Sequence, residues 1–599
     1  MKPARVLEKA RALLESGNAP GAEKLIFQTW PSAATAPAEA LYLAGRARVF
    51  QRQYTAGAAM LEAAIRLDDA QAAYHFALGD VRMLQGAATA AADAFARALQ
   101  LDPNFPNARR AFARAALGAE RFAEAEASAR ALIAAEPDAD ACNILSVALR
   151  GLERLEEAAQ AGAEALKLDP QSHPARHDWA VAVGRLGRVE EALAAFEALA
   201  RDGVQAGALA VNRSAALLEL DRAEEAERVL LEAAERDGAD PGVQAALAKA
   251  RWLNGAGEAF TSHFEQAVAR NPANTLLRVG CVDLLRAAGF TTRAEDMLQK
   301  GLQRAPSDPV LLDALGVLLD DLDRTAEALP LMQRALAMSS TPREELRSRL
   351  ARALLRLERA DEAMALIAPL RAAAPLNQHW IALECLVLKQ SRDPRYEWLC
   401  DYEAMVRAYE LPAPPGFANI AAFNEALADA LMKLHVARHH PLGQTLRDGT
   451  QTTRDLRQVD DPVVRLYLET LRAPIAEYIA SMREPDHPWS GRRRSDFRLS
   501  GAWSVRLRPG GRHVNHIHPA GWVSSSYYVS LPEAVAGNAA QEGWIKFGEP
   551  PRPIPGCGVE KAVEPRPGML VLFPSYVWHG TIPIASGERL TAPFDVVPV

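Results

Sequence analysis

Between about residues 5 and 385 the chain alternates small and apolar side chains at helical spacing with short charged turns. The phrases "RFAEAE", "RLEEAA", "RVEEAL", "RAEEAE", "RTAEAL" and "RADEAM" begin at Arg121, Arg154, Arg188, Arg222, Arg324 and Arg359, in steps of 33, 34, 34, 102 and 35 residues, the fourth being three times 34. A second ladder runs in phase through Pro103, Pro137, Pro170, Pro272, Pro306, Pro342 and Pro375, each closing an apolar segment such as "ALQLDP" or "ALKLDP". Apolar residues three and four apart form a stripe on one helix face, and a proline at a fixed offset stops the helix. The pattern predicts amphipathic helix pairs, each burying its stripe against the next.

A period near 34 with a closing proline is the signature of the tetratricopeptide repeat. One repeat can be followed residue by residue: Leu78 and Gly79 on the first helix, Ala91, Phe95 and Ala98 on the second, then Pro103. Small residues stand where paired helices touch, and a large one fills the gap. Ala125, Ala158, Ala192, Ala226, Ala294, Ala328 and Ala363 allow the same close approach. About eleven repeats are expected over residues 1–385, an all-α solenoid with irregular ends. Its concave groove predicts docking of a peptide or protein; the plainer alternatives are a spacer or a dimerisation arm.

The rhythm then stops. Residues 386–485 read as a helical connector, with the breaker "ELPAPPGF", the helical stretches "NIAAFNEALADALMKLHVA" and "VVRLYLETLRAPIAEYIASM", and the polar loop "HHPLGQTLRDGTQTTRD" between them. From 486 to 599 β-formers alternate with Pro and Gly, in "AWSVRLRPGGRHVNHIH", "WVSSSYYVSLP", "GWIKFG", "GMLVLFPS" and "RLTAPFDVV". Short strands between such breakers predict a small all-β sandwich or barrel.

Composition narrows the function little. A net charge of −7 gives no reason to expect nucleic acid. No apolar run is long enough to span a membrane, and the start resembles neither a secretory signal nor an anchor, so a cytoplasmic location is expected. The five cysteines lack CxxC spacing, which argues against disulfides and zinc knuckles. The run Arg492 to Arg494 reads as a solvated loop more readily than as an anion contact.

Histidine is different, with three of the chain's 13 falling at 513, 516 and 518. In an extended strand His516 and His518 share one face while Asn515 and Ile517 take the other, so the two imidazoles can grip one ion. His513 has the opposite parity and is the poorer candidate. A third ligand is expected from His579, which follows the apolar strand "MLVLF". Such a triangle leaves the opposite coordination positions open. Ten residues on, Arg589 and Thr591 share a strand face, where a guanidinium beside a hydroxyl suits a carboxylate.

These blocks, with "HPLGQTLRDGTQT" and "GWIKFGEP", resemble 2-oxoglutarate- and iron(II)-dependent oxygenases found fused to tetratricopeptide arrays and related to the prolyl hydroxylases. The resemblance covers about residues 440 to 599 and implies a double-stranded β-helix of jelly-roll type. It implies iron(II), 2-oxoglutarate and O2 as reactants, and hydroxylation of a side chain of a captured peptide or protein. Carried over by position, His516 and His579 are metal ligands, Arg589 anchors the far carboxylate of 2-oxoglutarate with Thr591 assisting, and Tyr527 or Tyr528 faces the cosubstrate. The wider superfamily has His-x-Asp/Glu, and here the second position is His518, which leaves the dication's charge uncompensated. Two alternatives follow: a three-histidine iron dioxygenase of the thiol-dioxygenase type without 2-oxoglutarate, or Glu549 completing the ligand set with His518 one atom layer out. A non-catalytic adaptor is the third. Trp503, Trp522, Trp544 and Trp578 are candidate cavity walls, and Arg447 and Gln451 in the loop 446–452 are candidate lid or substrate contacts; a turn fixed by Asp448 and Gly449 is the bland equivalent.

Overall fold

The computed structural model describes residues 3–105, 107–339, 344–435, 440, 442–482 and 486–599. Pro342, and residues 436–439 and 441 of the helical stretch and polar loop, lie outside the described residues. The chain forms two compact units, Met1–Val204 and Gln205–Val599. From Pro3 to Ala373 the described residues are helices packed in successive pairs. In the pair Ala72–Leu84 and Ala88–Leu101, Gly79 lies under Phe95; a Cβ there would sit 2.5 Å from the ring.

The recurring arginine phrase has a local cause. Arg121, Arg154, Arg188, Arg222, Arg324 and Arg359 each cap the second helix of a pair. Each guanidinium bonds both oxygens of the glutamate three residues on, as Arg324 does with Glu327 at 2.8 and 2.7 Å. The residue before the arginine turns the chain with positive φ: Glu120, Glu153, Gly187, Asp221, Asp323 and Glu358. Exposed pairs of this kind contribute only about 0.2–1 kcal/mol each, but a carboxylate in the first turn also suits the helix dipole.

Eleven strands follow among the described residues: β1 Arg407–Glu410, β2 Leu446–Gln451, β3 Phe497–Ala502, β4 Val505–His513, β5 Val523–Ser530, β6 Ile545–Phe547, β7 Lys561–Val563, β8 Met569–Pro574, β9 His579–Thr581, β10 Arg589–Thr591 and β11 Phe594–Pro598. All pairings are antiparallel. One sheet runs β1-β8-β5-β10-β4-β2, with β11 joined to β3 and β5; the other runs β7-β6-β9. Side chains from both sheets line one cavity, as in a jelly roll.

Two of these strands correct the sequence reading. β1 comes from the segment taken as a helical connector and pairs with β8. β2 occupies the polar loop and pairs with β4, with a register shift between Arg447 and Gly449, next to Asp448 at φ +50°. The connector's helices run Ile420–Met432, Pro462–Thr470 and Arg472–Ala480.

Within the second unit the last repeats and the sheets share one core. It runs from Leu312 and Leu350 through Trp380, Leu386, Phe423 and Tyr467 to Leu570, Leu572 and Val596. Polar contacts reinforce it: Trp578 Nε1 donates to Ala382 O (3.1 Å), Gln390 Nε2 to Pro555 O (3.1 Å), Trp252 Nε1 to His440 O (2.8 Å), and Arg552 pairs with Asp321 (3.4 Å). No helix among the described residues is long and apolar enough to cross a membrane, and all five cysteines are buried free thiols.

Candidate metal centre

β4 ends at His513, and from Val514 to His518 the chain forms no ladder, bending at Asn515. The regular strand assumed for His516 and His518 is therefore absent. A single bridge does its work: His516 N–H donates to His579 O (2.8 Å), and His579 N–H to His516 O (3.0 Å). This bridge fastens the segment after β4 to β9 of the other sheet, placing two histidines distant in sequence side by side. The N–H of His518 is held by Ser575 O at 2.9 Å.

The ligand atoms of His516, His518 and His579 all lie within 4.8 Å of one another, with 3.0 Å between Nε2 of His516 and Nε2 of His518. Every Nδ1 is engaged behind the cluster: that of His516 with Val514 O (2.9 Å), that of His579 with Val577 O (2.9 Å), and that of His518 with Asp595 Oδ2 (2.6 Å). An Nδ1–H that donates outward leaves Nε2 with a bare lone pair. Three Nε2 atoms facing each other are a ligand set for a cation, and without one a proton on Nε2 of His518 can bridge to Nε2 of His516. Burial, then the charge of His518, pushes His516 down to about 3, and burial holds His579 well below the ordinary imidazole value. Burial also acts to lower His518, but the neighbouring Asp595 outweighs it and raises the pKa.

Two other candidates fall outside the cluster. His513 lines the cavity but binds Thr445 Oγ1 through Nδ1 (3.1 Å). Glu549 is paired with Lys546 and accepts from Asn515 Nδ2 (2.8 Å), and it is not among the residues whose ligand atoms converge.

Arg589 and Thr591 stand on β10 between β4 and β5 and line the same cavity, while Leu590 does not. Arg589 is 2% exposed and lies over the Tyr528 ring, 5.0 Å from its centroid. Its guanidinium donates to Thr581 Oγ1 at 3.3 Å, and among the described residues it has no carboxylate partner. Arg589 Nε and the Tyr528 hydroxyl lack hydrogen-bond partners. Burial lowers the arginine's pKa. A buried cation without an anion costs several kcal/mol, about what a bound carboxylate would offset.

The remaining sequence candidates point elsewhere. The Tyr527 hydroxyl donates to Asn424 Oδ1 (2.7 Å), on the side away from Tyr528. Trp522 and Trp578 are core residues whose indoles donate to Trp489 O and Ala382 O, and Trp544 packs near Val535 and Ile584. Only Trp503 of the four lines the cavity, stacked on His518 at 6.0 Å. Arg447 and Gln451 lie on edge strand β2 rather than in a covering loop; Arg447 donates to Gln444 O and Leu446 O, and neither residue lines the cavity. Thr581 and Asp595 are site residues that the sequence reading passed over. Asp595 closes the block "RLTAPFD", but nothing in the sequence shows that its side chain turns toward His518.

Two sheets enclose a three-histidine cluster and a buried arginine that has no carboxylate partner among the described residues, in a domain of jelly-roll type. Residues 501–595 match the family described as "Putative 2OG-Fe(II) oxygenase", and residues 42–106, 110–173 and 321–384 match tetratricopeptide-repeat families. The chain thus joins tetratricopeptide repeats to a C-terminal domain of that oxygenase family. No curated protein matches it. Among solved structures, yeast Tom70 is 14% identical with a TM-score of 0.35, covering 65% of this chain and 97% of its own. MamA 41-end from Desulfovibrio magneticus RS-1 is 21% identical with a TM-score of 0.26, covering 27% and 93%.

Proposed function

We propose that the C-terminal domain is an iron(II)- and 2-oxoglutarate-dependent oxygenase that hydroxylates a side chain of a peptide or protein held by the repeats. One observation carries this reading: three converging imidazoles and a buried guanidinium with no carboxylate partner among the described residues face one cavity. His516, His518 and His579 would hold the iron, and Arg589, with the Tyr528 hydroxyl and Thr591 beside it, would take the far carboxylate of 2-oxoglutarate. When bound, iron and 2-oxoglutarate supply the oxygen-activating chemistry that places one atom of O2 in a C–H bond of the substrate.

The protein's own residues bind, orient and exclude water. Three Nδ1 hydrogen bonds hold the imidazoles in the ligating tautomer before any ion arrives. Because the three ligands are uncharged, the site favours a co-ligand that carries charge. Trp503 and Ile545 wall the cavity with apolar surface, which strengthens every polar contact inside it. The cavity measures about 50 Å3, room for a few small groups, so 2-oxoglutarate and a substrate side chain would have to widen it. Stacked repeats leave a concave surface suited to presenting such a chain.

The test is anaerobic titration with iron(II), then 2-oxoglutarate, following the visible charge-transfer band of the chelate. The band together with O2-dependent turnover of 2-oxoglutarate is expected. Iron binding without the band would favour the three-histidine thiol-dioxygenase type, and failure to bind iron would favour the adaptor.

A further inference from the structure

The domain holds a second largely buried charge, beside the histidines. Asp595 lies on β11 beside a register shift between Asp595 and Val596 in the pairing with β3. A bulge of this kind re-aims a side chain. Phe594 and Val596 stay in the apolar core while the Asp595 carboxylate faces the histidines. Both its oxygens are fixed: Oδ2 on His518 Nδ1 at 2.6 Å, Oδ1 by the hydroxyl of Ser524, its opposite number in β5, at 2.7 Å. Ser524 in turn bonds the Ser575 hydroxyl (2.9 Å), and Ser575 O holds the His518 N–H. Among the described residues no lysine or arginine pairs with Asp595, although its side chain is only 15% exposed. Such a carboxylate is matched only while His518 carries positive charge, from a proton or from a metal ion on the ring's other nitrogen.

We propose that Asp595 is a positioning residue that supplies, from one atom layer outside the ligands, the negative charge that His-x-Asp/Glu sites place on the metal itself. It fixes the ring of His518 with Nε2 toward the cluster, and it compensates the dication through that ring. The inference rests on reading His516, His518 and His579 as a metal site. It accounts for why a histidine can stand where a carboxylate ligand is usual: the carboxylate stands at the start of the domain's last strand instead.

The test is anaerobic metal affinity of the full chain, measured by competition between the protein and a chromophoric chelator for iron(II) and, separately, cobalt(II). D595N should weaken binding about 10- to 100-fold and shift the cobalt(II) ligand-field bands. H518D should also bind weakly, since its new carboxylate meets Asp595, whereas the double variant H518D/D595N should recover to within about tenfold of the unaltered protein because one charge is again present. S524A, the gentler variant should D595N not fold, should lower affinity in the same direction. Unchanged affinity in D595N or S524A, or a double variant no better than H518D, would overturn the role of Asp595. H516A separates the two levels: if it binds metal normally the centre itself is misassigned, whereas lost binding there with normal binding in D595N sinks only the inference about Asp595.

Discussion

Replacing Arg589 by methionine should move stability and cosubstrate binding in opposite directions. Without its ligand the guanidinium is 2% exposed, makes one hydrogen bond of 3.3 Å and lies over one aromatic ring. The long hydrogen bond contributes about 1 kcal/mol at most and the ring contact about 1–2 kcal/mol. Against these stands the desolvation of an unpaired charge, several kcal/mol. Methionine has similar length, carries no charge and adapts its shape, so the ligand-free variant should gain about 1–3 kcal/mol and melt a few degrees higher. Removing the anchor from a buried carboxylate pair costs about 2–5 kcal/mol of binding, a loss of roughly 30- to 5,000-fold in 2-oxoglutarate affinity. Differential scanning calorimetry of the metal-free protein and anaerobic 2-oxoglutarate titration of the iron-loaded protein read the two effects separately. A variant that is less stable yet binds 2-oxoglutarate normally would show that Arg589 is structural and refute the reasoning.

Three further outcomes follow. His435 bonds Thr450 Oγ1 (2.9 Å) and Ser504 Oγ (3.0 Å), and burial, with Arg506 and Arg508 adding, pushes it down to about 4. A histidine kept neutral by the fold contributes stability that is whole above its unfolded value near 6.5 and is lost as pH falls toward 4. Between pH 7.5 and 5 the protein should lose about 2 kcal/mol more than H435Q does, read from urea midpoints, and equal losses would count against this wiring. Adding a Cβ at Gly79 meets Phe95 at 2.5 Å, so Gly79→Ala should destabilise the first unit by about 1–3 kcal/mol while leaving iron affinity unchanged; a neutral effect on melting would mean that the pair repacks freely. Residues 386–599 expressed alone lack the Leu312–Cys385 side of the shared core, so circular dichroism should show no cooperative unfolding transition, and a sharp transition would mean the core divides there.

The repeats were legible because their information is local. A 34-residue period, an arginine and glutamate three apart at six of the second helices and a small residue where Phe95 packs all operate between near neighbours. The histidines, Arg589 and Thr591 were legible as residue types of the right chemistry. Strand β2 was not, because Asp448 and Gly449 break its alternation while pairing with β4 holds it extended. Nor was the division between Tyr527 and Tyr528, since the turn before β5 hides which one faces Arg589.

By itself the sequence determined an α-solenoid followed by β-strands bearing imidazoles and a guanidinium, since helical and strand periods and side-chain chemistry are properties of short stretches. Only the tertiary structure decided which atoms meet: one bridge joins His516 to His579, the pairing of β11 with β5 sets Asp595 beside His518, and Glu549 is taken by Lys546 and Asn515. Convergence across two sheets depends on registers set by the whole core, and a buried charge acquires meaning only from the partners it has or lacks.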